Sequence, residues 1–103
     1  MALQIVWTPD AKLQLNEILK YWEQRNDSLL YSKKLYKIIK NALIVLSKYP
    51  ESGKISENKK VKIKIIKGYY LFYSFDKEKL SVIGFCDMRR DPNFVESIII
   101  KKV

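Results

Sequence analysis

The chain has 103 residues, of which 48% are hydrophobic, and a formal net charge of +9. This length supports one hydrophobic core, so we expect a single domain over residues 1–103. The absence of histidine excludes His-based catalytic pairs, and the single cysteine, Cys86, excludes an internal disulfide and a thiolate metal cluster. No signal-like segment and no stretch of about 18 apolar residues is present, so we expect a cytoplasmic protein without membrane contact, metal or cofactor.

The first half of the chain is predicted to form a short strand and two helices. Residues 3–7, LQIVW, are typical of a strand. The TPD sequence at 8–10 offers an N-cap threonine, an N1 proline and a first-turn acid, which predicts a helix start. This helix should run to about Gln24. A second helix carries an apolar stripe from Tyr31 to Tyr49 and is stopped by Pro50. The short link predicts an antiparallel helical hairpin.

The second half is predicted to be mainly strands. Residues 51–58 form a turn-rich connection, and strands are expected at about 60–66, 69–75 and 80–87. Tight links between these strands predict two antiparallel hairpins. The tail, FVESIIIKKV, fits either a last strand or a short helix. We therefore predict an α+β fold of order β-α-α-β-β-β, with a helical hairpin packed on one face of a small antiparallel sheet.

The positive charge is concentrated in the strand-rich half. Residues 1–53 hold eight Lys/Arg against five Asp/Glu, whereas residues 54–103 hold twelve against six. A one-sided basic field suits a polyanion or an acidic protein partner. The alternative is that a lysine-rich composition serves solubility alone.

The strand that begins KKVKIKII alternates lysine with valine and isoleucine. A period of two predicts that the apolar side chains face the helical hairpin and the lysines face away from it. In the next two strands the same reasoning places Tyr70, Phe72 and Phe85 on that open face, and Cys86 inward. Cations beside flat rings suit single-stranded nucleic acid, and a solvated lysine face beside core aromatics is the alternative.

Catalysis on RNA is chemically conceivable without histidine. A 2′-hydroxyl that attacks its neighbouring phosphate needs a proton acceptor, a proton donor and cations around the transition state. Crowded lysines lower one another's pKa by like-charge repulsion, so Lys62 or Lys64 could act as the base. An arginine offers a planar fork to phosphate oxygens.

Four segments together resemble the RelE/ParE superfamily of toxins from bacterial toxin–antitoxin pairs. They are, in order, IVWTPDAKLQLNEILKYW, YPESG, KIKIIKGYYLFYSF and FCDMRRDP. The resemblance covers nearly the whole chain and implies the fold predicted above. It also implies an acidic antitoxin protein that lies across the toxin and blocks it. RelE-like members cut messenger RNA on the ribosome, whereas ParE-like members inhibit DNA gyrase and are not nucleases.

The resemblance also implies site residues. Lys62 and Lys64 match the paired lysines of the RelE pattern. Its last-strand arginine is matched by Arg89 or Arg90, of which Arg90 is the catalytic candidate. Tyr70 stands where that pattern has another arginine, and it is the candidate proton donor. The candidates for holding nucleic acid are Lys60, Lys67, Arg89 and Phe72. The paired lysines favour ribosome-dependent mRNA cleavage; a gyrase inhibitor without nuclease activity and a non-toxic basic RNA-binding module are the alternatives.

Overall fold

The computed structural model describes residues 2–56 and 60–100, without the side chain of residue 100. The elements are β1 (Gln4–Trp7), α1 (Pro9–Asn26), α2 (Leu30–Lys48), a 3₁₀ turn (Pro50–Ser52), β2 (Lys54–Ile55), β3 (Lys62–Ile66), β4 (Tyr69–Phe75), β5 (Lys79–Asp87) and α3 (Pro92–Ile100). The strands form one sheet in the order β1-β5-β4-β3-β2. The α+β class with a helical hairpin on one face is confirmed. The sheet is mixed, because β1 pairs parallel with β5 while the other pairs are antiparallel.

Local signals position the helical hairpin. The hydroxyl of Thr8 accepts a hydrogen bond from the Ala11 amide at 3.2 Å, so α1 begins where the sequence predicts. The helix ends at Asn26, two residues beyond the predicted Gln24, and Asp27 adopts a left-handed conformation with φ 48°. The following helix, α2, buries a stripe of apolar side chains against the sheet. The helical hairpin thus supplies one half of the main core.

The two strand hairpins form as predicted. Lys67 and Gly68 both have positive φ values, 52° and 83°, which is the backbone that a two-residue type I′ turn requires. At the other hairpin an Asp76 carboxylate oxygen accepts the amide hydrogens of Glu78 and Lys79, each at 2.8 Å. These turns fix the antiparallel register of β3, β4 and β5.

A β-bulge in β5 places the side chains of its second half on the faces opposite to those predicted. The pairing with β4 passes from Val82 to Gly84 and leaves Ile83 as an extra residue. Beyond the bulge Phe85 is 1% exposed in the core under the helical hairpin, and Cys86 lies in a second cluster. The prediction of Phe85 outward and Cys86 inward is therefore wrong, because simple alternation does not account for an extra residue.

The lysines of β3 also face opposite to the prediction. Lys62 pairs with Tyr73, and Lys64 pairs with Leu71. Both partners belong to the core under the helical hairpin. Since directly opposed residues of an antiparallel pair share a face, the two lysines lie on the hairpin side of the sheet, where they are half-buried.

The other face of the sheet is covered by α3. The sequence of this segment is compatible with either a strand or a helix, and the structure shows a helix. Ile98 of α3 is buried in a cluster with Val61, Phe72 and Cys86. Gly84 permits this close approach, because an added Cβ would lie 2.6 Å from the Ile98 Cγ2 atom. The alternating apolar residues of the lysine-rich segment thus meet α3, and the face predicted to be open is partly covered.

Candidate functional site

The predicted catalytic residues are divided between the two faces of the sheet. Lys62 and Lys64 lie on the hairpin side, whereas Tyr70 pairs with Ile65 and packs in the cluster beneath α3. Neighbouring side chains along a strand point to opposite faces, so the sheet itself separates the lysine amines from the Tyr70 phenol. The structure therefore does not bring the two lysines and Tyr70 together on one face.

Phe72, the predicted base-stacking ring, is not available to a ligand. It is 0% exposed, and its ring lies 5.9 Å from that of Tyr70 in a tilted arrangement. The expectation that Phe72 lies on an open face is wrong, because α3 covers it. The guanidinium of Arg90 lies 3.9 Å from the centre of the Phe94 ring, at the start of the same helix. Arg90 therefore makes a cation–π contact with α3.

Two turns meet at the end of the sheet where β5 finishes. The Met88 amide donates a hydrogen bond to the Gly68 carbonyl at 3.0 Å, which joins the β3–β4 turn to the loop after β5. Lys67, Arg89 and Arg90 are all exposed around this junction. Three of the predicted cations are therefore close together in the chain fold, whereas Lys60 lies at the opposite end of β3.

Arg89 is held in place by Asp87. One carboxylate oxygen of Asp87 accepts hydrogen bonds from the Arg89 backbone amide at 2.7 Å and from Nε at 3.2 Å, and the other accepts from a terminal nitrogen at 3.2 Å. These bonds keep the pKa of Asp87 below its ordinary value and raise the pKa of Arg89. The Arg89 side chain nevertheless remains 90% exposed, so its charge is both fixed and accessible.

Aromatic side chains from both helices of the hairpin form a cluster, of which Tyr21 is near this arginine. The Trp22 ring nitrogen donates to the Tyr69 hydroxyl at 2.8 Å, and the rings of Tyr21 and Tyr31 pack edge-on against Trp22. The phenols of Tyr21 and Tyr69 are near enough to Arg89 to contribute to its raised pKa, after the larger effect of Asp87. Tyr21 is 53% exposed and Tyr31 is 36% exposed. We call Tyr21, Tyr31 and Arg89 the tyrosine–arginine surface.

Of this surface, the sequence identified Arg89 as a candidate but not Tyr21 or Tyr31. Its members come from α1, α2 and the loop after β5, and their proximity depends on how the helical hairpin crosses the sheet. Tyr21 stands beside Trp22 at the end of α1, where a helical apolar stripe suggests only core packing. Tyr21 is exposed in the structure, but no local sequence pattern indicates that it lies near Arg89.

A pocket of about 410 Å³ lies at the opposite end of the sheet. Its lining combines lysines, serine hydroxyls, one aromatic ring and one carboxylate, namely Lys60, Lys62, Lys79, Ser74, Ser81, Phe75 and Asp76. We call this the lysine–serine pocket. It gathers two of the predicted lysines with residues that the sequence did not single out.

The described residues offer little for other chemistries. Burial raises the pKa of the Cys86 thiol to about 11, so this sulfur is a poor nucleophile near neutral pH. Across residues 2–56 and 60–100, there is no group of three or more His, Cys, Asp or Glu side chains that could hold a metal ion. Within the same ranges no helix has the length and apolar character needed to cross a membrane.

Comparison with known proteins gives a family and a fold. The family model described as the ParE toxin of the type II toxin-antitoxin system, parDE, matches residues 5–92. No curated protein matches the chain. Among solved structures, the chain is similar to the chromosomal ParDE TA system from P. aeruginosa, with a TM-score of 0.71 and 13% sequence identity over 84% of this chain and 96% of that chain. At this identity the structural likeness shows a shared fold.

Proposed function

The chain belongs to the ParE toxin family of type II toxin-antitoxin systems, and we propose on that premise that it arrests growth by binding and inhibiting DNA gyrase without cleaving RNA. The family gives it the role of a toxin with an antitoxin partner. A non-toxic RNA-binding module does not agree with this membership.

The observation that carries the proposal is the division of the nuclease candidates by the sheet. RNA cleavage requires a base, a proton donor and cations arranged around one phosphate. Lys62 and Lys64 are on the hairpin side, and Tyr70 is on the α3 side. The remaining cation, Arg90, contacts Phe94 of α3. A toxin that acts by binding a protein needs no such constellation.

The tyrosine–arginine surface suits a protein target. Tyrosine and arginine are enriched among the residues that dominate protein–protein binding energy. Asp87 holds Arg89 before any partner arrives, which lowers the ordering cost of binding. We therefore assign contact with gyrase to Tyr21, Tyr31 and Arg89. Ribosome-dependent mRNA cleavage, which the paired lysines favour, stays a prediction to be tested beside it.

A supercoiling assay with purified gyrase tests the proposal. The chain should inhibit supercoiling of relaxed plasmid DNA, and Arg89→Ala should raise the half-inhibitory concentration roughly tenfold or more, as for a binding hot spot. Lys37→Ala, on an exposed site of α2, is the matched control and should inhibit like the parent chain. Normal supercoiling at high toxin excess would refute gyrase as the target.

Primer extension on transcripts from growth-arrested cells separates the two targets. Under the gyrase proposal no new cuts occur within translated codons, and the double variant Lys62→Ala with Lys64→Ala still inhibits supercoiling. Under mRNA cleavage the parent chain produces such cuts and the double variant does not. If cuts occur within translated codons and gyrase supercoiling is unaffected, the gyrase proposal is wrong and mRNA cleavage is the activity.

A further inference from the structure

The lysine–serine pocket has the composition of an anion site. It lies where β3 begins, β4 ends and β5 begins, and Lys60, Lys62 and Lys79 contribute to its lining. Ser74 and Ser81 form a cross-strand pair in the same lining. Lysine ammonium groups and serine hydroxyls are all able to donate hydrogen bonds to an oxyanion. Three lysines and two serines therefore contribute to the lining of one pocket.

Asp76 is the single acid in this lining and it stays ionised. One of its oxygens accepts the amides of Glu78 and Lys79 at 2.8 Å each, and these bonds hold its pKa below the ordinary value. Its second oxygen carries lone pairs that can accept from a ligand. The pocket is thus positive as a whole, with one fixed negative group on its wall.

This mixed charge discriminates between two kinds of anionic partner. A nucleic acid carries a phosphate at every nucleotide, so a strand entering the pocket would bring further negative charge toward Asp76. A polypeptide brings an isolated carboxylate for the lysines, and its neighbouring backbone N–H groups can donate to Asp76. The arrangement therefore favours an acidic side chain on a polypeptide.

We propose that the lysine–serine pocket is the docking site for an aspartate or glutamate side chain of the antitoxin. This rests on the toxin family, which supplies a protein antitoxin as partner, and it does not depend on gyrase being the target. The net charge of +9 makes an acidic antitoxin segment the complementary one. The pocket volume of about 410 Å³ is in the range that takes a ligand group rather than a single water.

Calorimetric titration with the cognate antitoxin protein tests the proposal. Lys79→Glu should weaken the complex roughly tenfold or more at 0.15 M salt, because a charge of the wrong sign faces the docked carboxylate. Lys79→Gln should fall between this variant and the parent chain. Lys37→Glu changes the net charge by the same amount at an exposed site of α2, and its affinity should stay within about twofold of the parent chain. Equal losses of affinity in Lys79→Glu and Lys37→Glu would show a general charge effect and would overturn the proposal that the pocket is the docking site.

Amide chemical shifts of the isotope-labelled chain provide a second test, with two probes: the end-blocked peptide Gly-Gly-Glu-Gly-Gly, which carries one carboxylate, and a thymidine hexanucleotide. The peptide should shift the amides of Ser74, Lys79 and Ser81, and should do so less in Lys79→Glu. Stronger shifts of the same amides by the hexanucleotide would overturn the proposal in favour of nucleic acid. Both tests measure binding without gyrase, so a negative supercoiling assay leaves their interpretation unchanged.

Discussion

The carboxylate of Asp87 holds the guanidinium of Arg89 through two hydrogen bonds of 3.2 Å, although the arginine side chain is 90% exposed. The same carboxylate accepts the Arg89 backbone amide at 2.7 Å. An exposed ion pair of this kind contributes little to stability. Its effect is to limit the conformations of a cation on the proposed binding surface before a partner is bound.

Removing Asp87 should therefore weaken binding to the target while leaving the arginine present. Fixing one long side chain costs about 0.5–1.5 kcal/mol on association, so Asp87→Ala should raise the half-inhibitory concentration for gyrase roughly two- to tenfold. Glu96→Ala, at an exposed position of α3, is the control and should have no effect. If the two variants inhibit supercoiling equally well, Asp87 has no part in positioning Arg89.

The acid stability of the chain should depend on Asp76 and Asp87. Hydrogen bonds from neighbouring N–H groups lower the pKa of both carboxyls from 3.8, so both contribute stability that is fully present above that value. This contribution is lost as the pH falls through the lowered pKa values, that is, below about pH 4. Urea unfolding between pH 2 and 7 should therefore show a flatter acid limb for Asp76→Asn with Asp87→Asn than for the parent chain. Parallel acid limbs would contradict these assignments.

Signals that act within a few residues were sufficient to predict the start of α1 and the β3–β4 turn. Thr8 needs only the Ala11 amide three residues later, and Lys67-Gly68 needs only its own backbone angles. Such contacts can be read from neighbouring residues because nothing distant has to be in place. The same holds for the position of Arg89 at the end of the last strand.

The facing of β3 and β5 could not be predicted in this way. Alternation assigns residues to two faces, but it does not say which face meets the helical hairpin when both faces are covered. The sequence-based assignment assumed one open face, whereas Ile98 of α3 covers Phe72 on the second face. The extra residue Ile83 then inverted the end of β5. For these two reasons the residues of the predicted site lie on different faces of the sheet. The proximity of Tyr21 to Arg89 also depends on long-range packing, which local patterns do not predict.

The approach of α3 to the sheet at Gly84 gives a stability prediction. An added Cβ would lie 2.6 Å from Ile98 Cγ2 and 3.3 Å from Phe72 Cδ2, so Gly84→Ala should destabilise the fold by about 1–3 kcal/mol through overpacking. Ile98→Ala alone should cost about 2–5 kcal/mol by leaving a cavity. In the double variant the new methyl group occupies part of that cavity, so the combined loss in urea unfolding should be smaller than the sum. Strict additivity would mean that the two residues do not touch.

The Tyr73 hydroxyl connects the 3₁₀ turn to the sheet by hydrogen bonds, so its removal should lower the stability of the fold. It donates to the Pro50 carbonyl at 2.6 Å and accepts from the Gly53 amide at 3.0 Å, while the ring is 0% exposed. Tyr73→Phe deletes both hydrogen bonds without changing the ring, so it should lower the free energy of unfolding by about 1–3 kcal/mol in urea. Tyr49→Phe makes the same chemical change on a side chain that is 66% exposed, and its effect should stay within about 0.5 kcal/mol. Equal effects would show that the two hydrogen bonds of the Tyr73 hydroxyl contribute no net free energy of unfolding. The packing of the Tyr73 ring would then be what stabilises the 3₁₀ turn.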